Sequence, residues 1–253
     1  MTKMFSISKY EYKMQIKRIA GWIILIFVFA SAMMDCLPTA TNMARIEFLY
    51  DIHYYVRRVF SFDGLILLFA LMFLMAGCLV SDRKTGRRDL FMVTPIRKGS
   101  YIGGKLLGNF LYALSLMYLL LVAAIIGFAV FSHSETPFID YISAFFEVSI
   151  YIILPATFFV TASSIILPEI IDIRLFYLLF SVLFLVNAFS SDTGTAVPFY
   201  IFTQGDLARM IWQHPKQQVI YIGSAILNLL FMLGIGGTTI ALVCVKRKLW
   251  RAD

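Results

Sequence analysis

The chain has 253 residues, 60% of them hydrophobic, and its mean hydropathy is +0.82. Soluble domains are about 45–50% apolar, so this composition excludes an ordinary soluble domain and predicts an integral membrane protein. The net charge of +7 does not indicate a nucleic-acid partner, because the basic residues cluster at the ends of apolar runs and form no single basic face.

The N-terminal segment, residues 1–18, mixes basic and aromatic side chains, which is typical of a helix lying in the lipid headgroup region. Its length and Glu11 are unlike the start of a signal peptide, so we expect no cleavage. A solvated basic tail that only sets orientation stays the alternative, because the helical wheel is imperfect. The apolar side chains fall on two stripes, one with Phe5, Tyr12, Ile16 and Ile19 and the other with Ile7, Tyr10 and Met14.

Six apolar runs follow, each long enough for a helix that crosses about 30 Å of hydrocarbon, which takes roughly 20 residues, or fewer where flanking Lys and Arg snorkel. We therefore predict an all-α integral membrane protein with one transmembrane domain over residues 1–253. The runs are 19–34, 64–80, 106–131, 141–167, 175–190 and 219–245.

The basic residues predict the orientation of these six spans. The segments on one side carry 17 Lys and Arg residues, whereas the opposite loops carry five. By the positive-inside rule the basic side faces the cytosol, and an even number of spans places both termini there.

The loop at 81–105, SDRKTGRRDLFMVTPIRKGSYIGGK, separates the second and third spans. It begins with charged residues and continues through a short apolar stretch until Thr94 and Pro95 stop any helix. A short amphipathic helix between two spans can dock into a soluble partner and pass on its movement. The alternative is a plain topological connection, against which its length of about 25 residues argues.

Two outer segments, 35–63 and 191–218, are longer than simple turns, and the second could re-enter the membrane where protein covers its backbone. Small residues predict close helix packing within or between subunits. These are Gly104 and Gly108 at the third span, and Gly234, Gly236 and Gly237 in the sixth.

The sequence offers no catalytic constellation. His53, His133 and His214 lie far apart in predicted outer loops without metal-ligand spacing. The three cysteines are widely separated and are interpreted as small apolar residues. No phosphate-binding loop is present, so we expect no metal, no cofactor and no covalent chemistry in this chain, and any nucleotide energy must come from another chain.

Two polar residues inside predicted spans are candidates for a transport path. Glu147 is the one carboxylate within a predicted span, and such residues usually face a cavity or a partner. The alternative interpretation is that Glu147 is solvated near the outer surface, since it lies only about seven residues, near 10 Å, into its span. Asn187 in the fifth span is better explained by a helix–helix hydrogen bond.

The 81–105 loop resembles that of the membrane subunits, or permeases, of type 2 ABC transporters, a group dominated by exporters. It differs from the usual form at Asp82, where Glu is common, and at Arg97-Lys98, where Ser or Thr often precedes the Arg. The resemblance rests on Asp82-Arg83-Lys84-Thr85-Gly86, Leu90, Thr94-Pro95-Ile96-Arg97 and Tyr101-Ile102-Gly103-Gly104-Lys105.

This resemblance implies a bacterial cytoplasmic (plasma) membrane protein that pairs with a second permease subunit, the same chain or a paralogue. Two cytosolic P-loop ATPases with ATP and Mg would lie beneath them. Residues 1–18 would form the elbow helix, and 81–105 would contain the coupling helix. The coupling interface would comprise Asp82, Arg83, Lys84, Gly86, Arg87, Arg88, Asp89, Leu90, Pro95 and Arg97.

The expected function is ATP-driven export of an amphipathic cargo, a peptide, antibiotic or lipid-like molecule. In this family the second and fifth spans tend to line the path, and here both are rich in Leu, Phe and Met. One alternative is an autonomous secondary transporter using Glu147, which would need several buried ionisable groups. The other is a membrane enzyme or a non-transporting accessory protein.

Overall fold

The computed structural model describes residues 2–39, 41, 42, 46, 49–86, 93, 98–132, 136–189 and 222–245. Within these residues all regular structure is helical, as predicted. The α-helices are α1 Thr2–Ile16, α2 Ile19–Cys36, α3 Ile52–Val59, α4 Leu65–Met75, α5 Cys78–Lys84, α6 Lys98–Phe131, α7 Phe138–Val148, α8 Leu154–Ile166, α9 Ile173–Phe189 and α10 Ile222–Val245. Two π-helical turns, Phe60–Gly64 and Ser149–Ile153, and a 3-10 turn, Leu167–Glu169, join consecutive helices.

Four helical stretches are long and apolar enough to cross a membrane, and they coincide with the first four predicted spans. They are Ile19–Cys36, Ile52–Lys84, Lys98–Phe131 and Phe138–Glu169. The fifth and sixth predicted spans correspond to shorter apolar helices, Ile173–Ala188 and Leu229–Leu242. The outer segment 191–218 lies outside the described residues.

The second helical stretch begins twelve residues earlier than the predicted span at 64–80. Its part before Gly77, residues 52–75, extends about 36 Å at 1.5 Å per residue, more than about 30 Å of hydrocarbon. The last turns of the predicted outer segment 35–63 are helical. Charged residues such as Arg57 and Arg58 interrupt the apolar run there, although the helix buries Val56 and Val59.

Helix α8 is the centre of the bundle and packs against α4, α6 and α10. In the stretch Phe138–Glu169 that contains it, 72% of the most apolar window is buried, against 22% for α2. Pro155 lies just after the π-helical turn Ser149–Ile153. Because proline has no N–H and its ring clashes with the carbonyl four residues before, the looser turn accommodates it.

A sharp break separates α4 from α5, at the point where the second stretch leads into the 81–105 loop. Gly77 adopts a left-handed conformation, with φ 76°, and a Cβ there would lie 2.9 Å from Ile173 Cδ1. The left-handed backbone conformation favours glycine at this position.

The N-terminal segment is the helix α1, and it packs along the first turns of α6. A Cβ on Gly104 would lie 2.8 Å from Ile7 Cβ, and a Cβ on Gly108 would lie 2.6 Å from the Ser8 carbonyl oxygen. The predicted close packing at this glycine pair is confirmed, and it joins two helices of the same chain. In α10, a Cβ on Gly236 would lie 2.6 Å from the Phe158 ring. A Cβ on Gly234 or Gly237 would meet no atom of the described residues within 4 Å.

Candidate functional site

A buried ionic cluster lies where α1, α5 and α6 meet. The Lys105 ammonium is 2.9 Å from Glu11 Oε1 and also pairs with Asp82 Oδ2. The Tyr101 hydroxyl donates a hydrogen bond of 2.5 Å to the same Asp82 oxygen. All four residues are buried, so one ammonium serves two carboxylates away from water. We call these four residues the Lys105 cluster.

Neighbouring polar groups extend the Lys105 cluster along the contact between α1 and α6. Gln15 donates to Asn109 Oδ1 over 2.6 Å, and the Asn109 amide donates to the Lys105 carbonyl over 2.8 Å. The Lys105 ammonium also lies 3.4 Å from Cys78 Sγ on α5. The interpretation of Cys78 as simply a small apolar residue was therefore incomplete, since its sulfur contacts a charge.

The start of the 81–105 loop is held at a second point. Arg83 on α5 forms an ion pair of 3.3 Å with Glu169 in the 3-10 turn before α9. The Thr85 hydroxyl donates to the Ser81 carbonyl over 2.9 Å, and Gly86 ends the turn with φ 70°. Asp82 and Arg83, neighbours in sequence, thus connect the loop to two different parts of the bundle.

Four of the ten predicted coupling residues lie in the described part of the chain, namely Asp82, Arg83, Lys84 and Gly86. Lys84 is exposed, whereas Asp82 is buried in the Lys105 cluster and is no free docking group. The other six, Arg87, Arg88, Asp89, Leu90, Pro95 and Arg97, lie outside the described residues, as does the predicted apolar stretch of the loop apart from Val93, which is exposed.

Glu147 lies on α7 and faces His53 of α3. Its Oε2 is 3.1 Å from His53 Nδ1, and His53 Nε2 is 3.4 Å from the Ser143 hydroxyl. The side chains of His53 and Glu147 are 24% and 28% exposed. The sequence interpretation missed this pair because it placed His53 in an outer loop, whereas α3 extends into that region.

Asn187, the second candidate for a transport path, donates a hydrogen bond to the Leu183 carbonyl of its own helix over 2.8 Å.

Asp63 is a buried carboxylate that the sequence interpretation missed. It lies in the π-helical turn Phe60–Gly64 and is 1% exposed, and Ser31 and Arg58 lie close enough to interact with its carboxylate. Asp63 immediately precedes the predicted span 64–80, so it was not considered beside Glu147. The spacing offered a signal, since Asp63 continues the helical stripe of Ile52, Val56 and Val59.

Across the described ranges, no group of three or more His, Cys, Asp and Glu residues could hold a metal ion. The chemistry that the described residues offer is ionic pairing and hydrogen bonding between helices. The fold, with its four long apolar helices, is that of a helical membrane protein.

Comparison with known proteins does not define a class narrower than a helical membrane protein. No family model, no curated protein and no solved structure matches the chain.

Proposed function

We propose that this chain is the transmembrane permease subunit of an ATP-driven exporter in a bacterial cytoplasmic membrane. In this proposal it has six spans and both termini in the cytosol, and it pairs with a second permease subunit. A separate cytosolic P-loop ATPase binds ATP and Mg. The cargo is amphipathic, a peptide, an antibiotic or a lipid-like molecule, and the chain itself performs no covalent chemistry.

The observation that carries the proposal is the attachment of the 81–105 loop to the bundle. Asp82 joins the loop to α1 and α6 through the Lys105 cluster, and Arg83 joins it to the turn before α9 through Glu169. A force on the loop would reach α1, α6 and the turn before α9 through these ion pairs. A loop that only connects two spans needs no such ion pairs, whereas a segment that transmits movement to the spans does.

The length of the helix that follows the loop also supports the proposal. The helix before the loop is broken at Gly77, but Lys98–Phe131 is one helix of 34 residues, about 50 Å long, so it extends beyond about 30 Å of hydrocarbon. Its first eight residues, 98–105, precede the predicted span and form the end of the 81–105 loop. A soluble ATPase could contact exposed basic residues of the loop, such as Lys84, without entering the membrane.

The proposal predicts that Arg87→Ser/Arg88→Ser lowers recovery of a co-purifying P-loop ATPase by about tenfold or more, because charged residues at such contacts contribute at least that factor. The measurement is a mild-detergent pull-down of the tagged chain from its native host, with mass spectrometry. These two positions leave Asp82 and the Lys105 cluster intact.

The matched control is Lys9→Ser/Lys13→Ser, which removes two exposed basic residues from α1. ATPase recovery is expected to stay within about twofold of the original chain, because exposed charges away from an interface contribute little. Absence of any ATPase from all three preparations would overturn the exporter proposal.

A second candidate function, an autonomous proton-coupled transporter, is favoured by the ionisable groups found inside the helices. The Glu147–His53 pair and the buried Asp63 supply more such groups than the sequence indicated. Proteoliposomes that contain only this chain would then carry a proton flux, measurable with an enclosed pH-sensitive dye, that Glu147→Gln abolishes. The exporter proposal predicts no such flux.

A further inference from the structure

A pocket of about 330 Å³ opens beside the Lys105 cluster, between α1 and the ends of α5 and α6. Its size is at the lower end of the range for small-molecule sites, about 300–1,000 Å³. Its lining is mostly apolar, with two carboxylates and two tyrosines. The lining residues are Ser6, Ile7, Tyr10, Glu11, Met14, Asp82 and Tyr101.

Glu11 gives this pocket a specific chemical preference. Its side chain is only 5% exposed, and Oε1 pairs with Lys105, but Oε2 has no hydrogen-bond partner among the described residues. A buried carboxylate oxygen without a donor is costly, and native structures usually satisfy such atoms. A donor with positive charge would satisfy this oxygen best, because charge-assisted hydrogen bonds are the strongest available to a carboxylate.

The charge balance of the Lys105 cluster favours a cation over a neutral donor. One ammonium, that of Lys105, serves both Glu11 and Asp82. Within this cluster a second cation would therefore restore neutrality. The pocket also offers the rings of Tyr10 and Tyr101, and aromatic faces attract alkylammonium groups.

We propose that this pocket binds an amphipathic primary ammonium, whose charged group hydrogen-bonds to Glu11 Oε2 and whose alkyl part lies against Ile7 and Met14. Such a group can come from a phospholipid with a primary ammonium headgroup or from a free amphiphilic amine. The pocket is formed by this chain alone, so its ligand does not depend on an ATPase partner.

The test uses octylammonium and its neutral counterpart octanol, titrated into the full chain in maltoside detergent by calorimetry, with protein-free micelles as blanks. Octylammonium is expected to bind at least about tenfold more tightly than octanol, because a hydrogen bond to a charged group contributes that factor or more. Equal binding of the two probes would overturn the proposal and leave only an apolar groove.

Glu11→Gln removes the negative charge, and octylammonium affinity is expected to fall at least about tenfold. Glu169→Gln is the matched control, because Glu169 is a nearby ion-paired carboxylate that does not line the pocket. Its affinity for octylammonium is expected to stay within about twofold of the original. An unchanged affinity in Glu11→Gln, or an equal loss in both variants, would contradict the assignment.

Met14→Trp provides a test that leaves every charge in place, in case Glu11→Gln does not fold. The larger side chain fills the pocket, so octylammonium binding is expected to be lost while thermal stability is kept. Binding that survives this substitution would place the probe elsewhere and overturn the proposal.

The source of the ammonium is distinguished by repeating the titration in nanodiscs. Phosphatidylethanolamine has a primary ammonium and phosphatidylcholine has none, so a lipid occupant predicts weaker octylammonium binding in the first. Equal affinities in the two lipids assign the site to a free amphiphilic amine. Loss of binding in both lipids would show that the pocket does not form in a bilayer and would overturn the proposal.

Discussion

Lys105→Met is expected to lower the free energy of unfolding by about 3–5 kcal/mol, the cost of leaving a buried charge without its partner. Lys105 is 2% exposed, and its ammonium pairs with both Glu11 and Asp82. Methionine has a similar length and fits the space but carries no charge. The two carboxylates would then face each other without a cation between them. Reversible unfolding by titration with a denaturing detergent measures the loss.

The triple variant Glu11→Gln/Asp82→Asn/Lys105→Met is expected to recover most of that stability, because a buried ionic group replaced as a whole costs little. Lys84→Met is the matched control, since Lys84 is exposed on α5; its change is expected to stay within about 0.5 kcal/mol. A Lys105→Met protein as stable as the original would contradict the existence of the Lys105 cluster. Failure of the triple variant to recover would assign the loss to packing around the lysine.

The apolar pattern of the sequence predicted the helices well because hydrocarbon and the bundle core both favour apolar side chains. The predicted third span, 106–131, ends at the same residue as α6, and α6 starts eight residues earlier. Those eight residues include Lys98 and Lys105, which interrupt the apolar run. Where a helix continues beyond the membrane its sequence is polar, so hydropathy does not predict that part of the helix.

The buried face of α1 was harder to predict, because a helical wheel indicates a buried face only through its apolar side chains. The buried face instead carries Ser8, Glu11 and Gln15, while Phe5 and Tyr10 are 56% and 66% exposed. Polar residues can be buried when partners are available, and those partners are on α6, almost a hundred positions away. The sequence of α1 alone does not contain that information.

The candidate site was predicted in part. The position of the 81–105 loop between two apolar helical stretches follows from composition. The pairing of Asp82 with Lys105 and of Arg83 with Glu169 depends on how the helices pack, which spacing does not reveal. Asp82 illustrates the difference, since its contact with Lys105 on α6 cannot be read from its position in the loop.

Gly108→Leu is expected to detach α1 from α6 and to lower the free energy of unfolding by about 3 kcal/mol, the upper end of typical overpacking costs. A Cβ at this position would lie 2.6 Å from the Ser8 carbonyl oxygen and 2.7 Å from Glu11 Cβ. A backbone carbonyl cannot rotate away as a side-chain end can, so α1 must move as a unit. That movement separates Glu11 from Lys105 and Gln15 from Asn109.

Hydrogen exchange distinguishes this local detachment from general unfolding. Amides of α1 are expected to exchange much faster in Gly108→Leu, whereas those of α8 keep their protection, because the ends of a structure can open separately from its core. Gly99→Leu is the matched control, on the same helix with nothing within 4 Å of its Cβ position. Equal protection of α1 in both variants would contradict the packing of α1 on α6, and with it the route by which Asp82 connects the loop to the N-terminal helix.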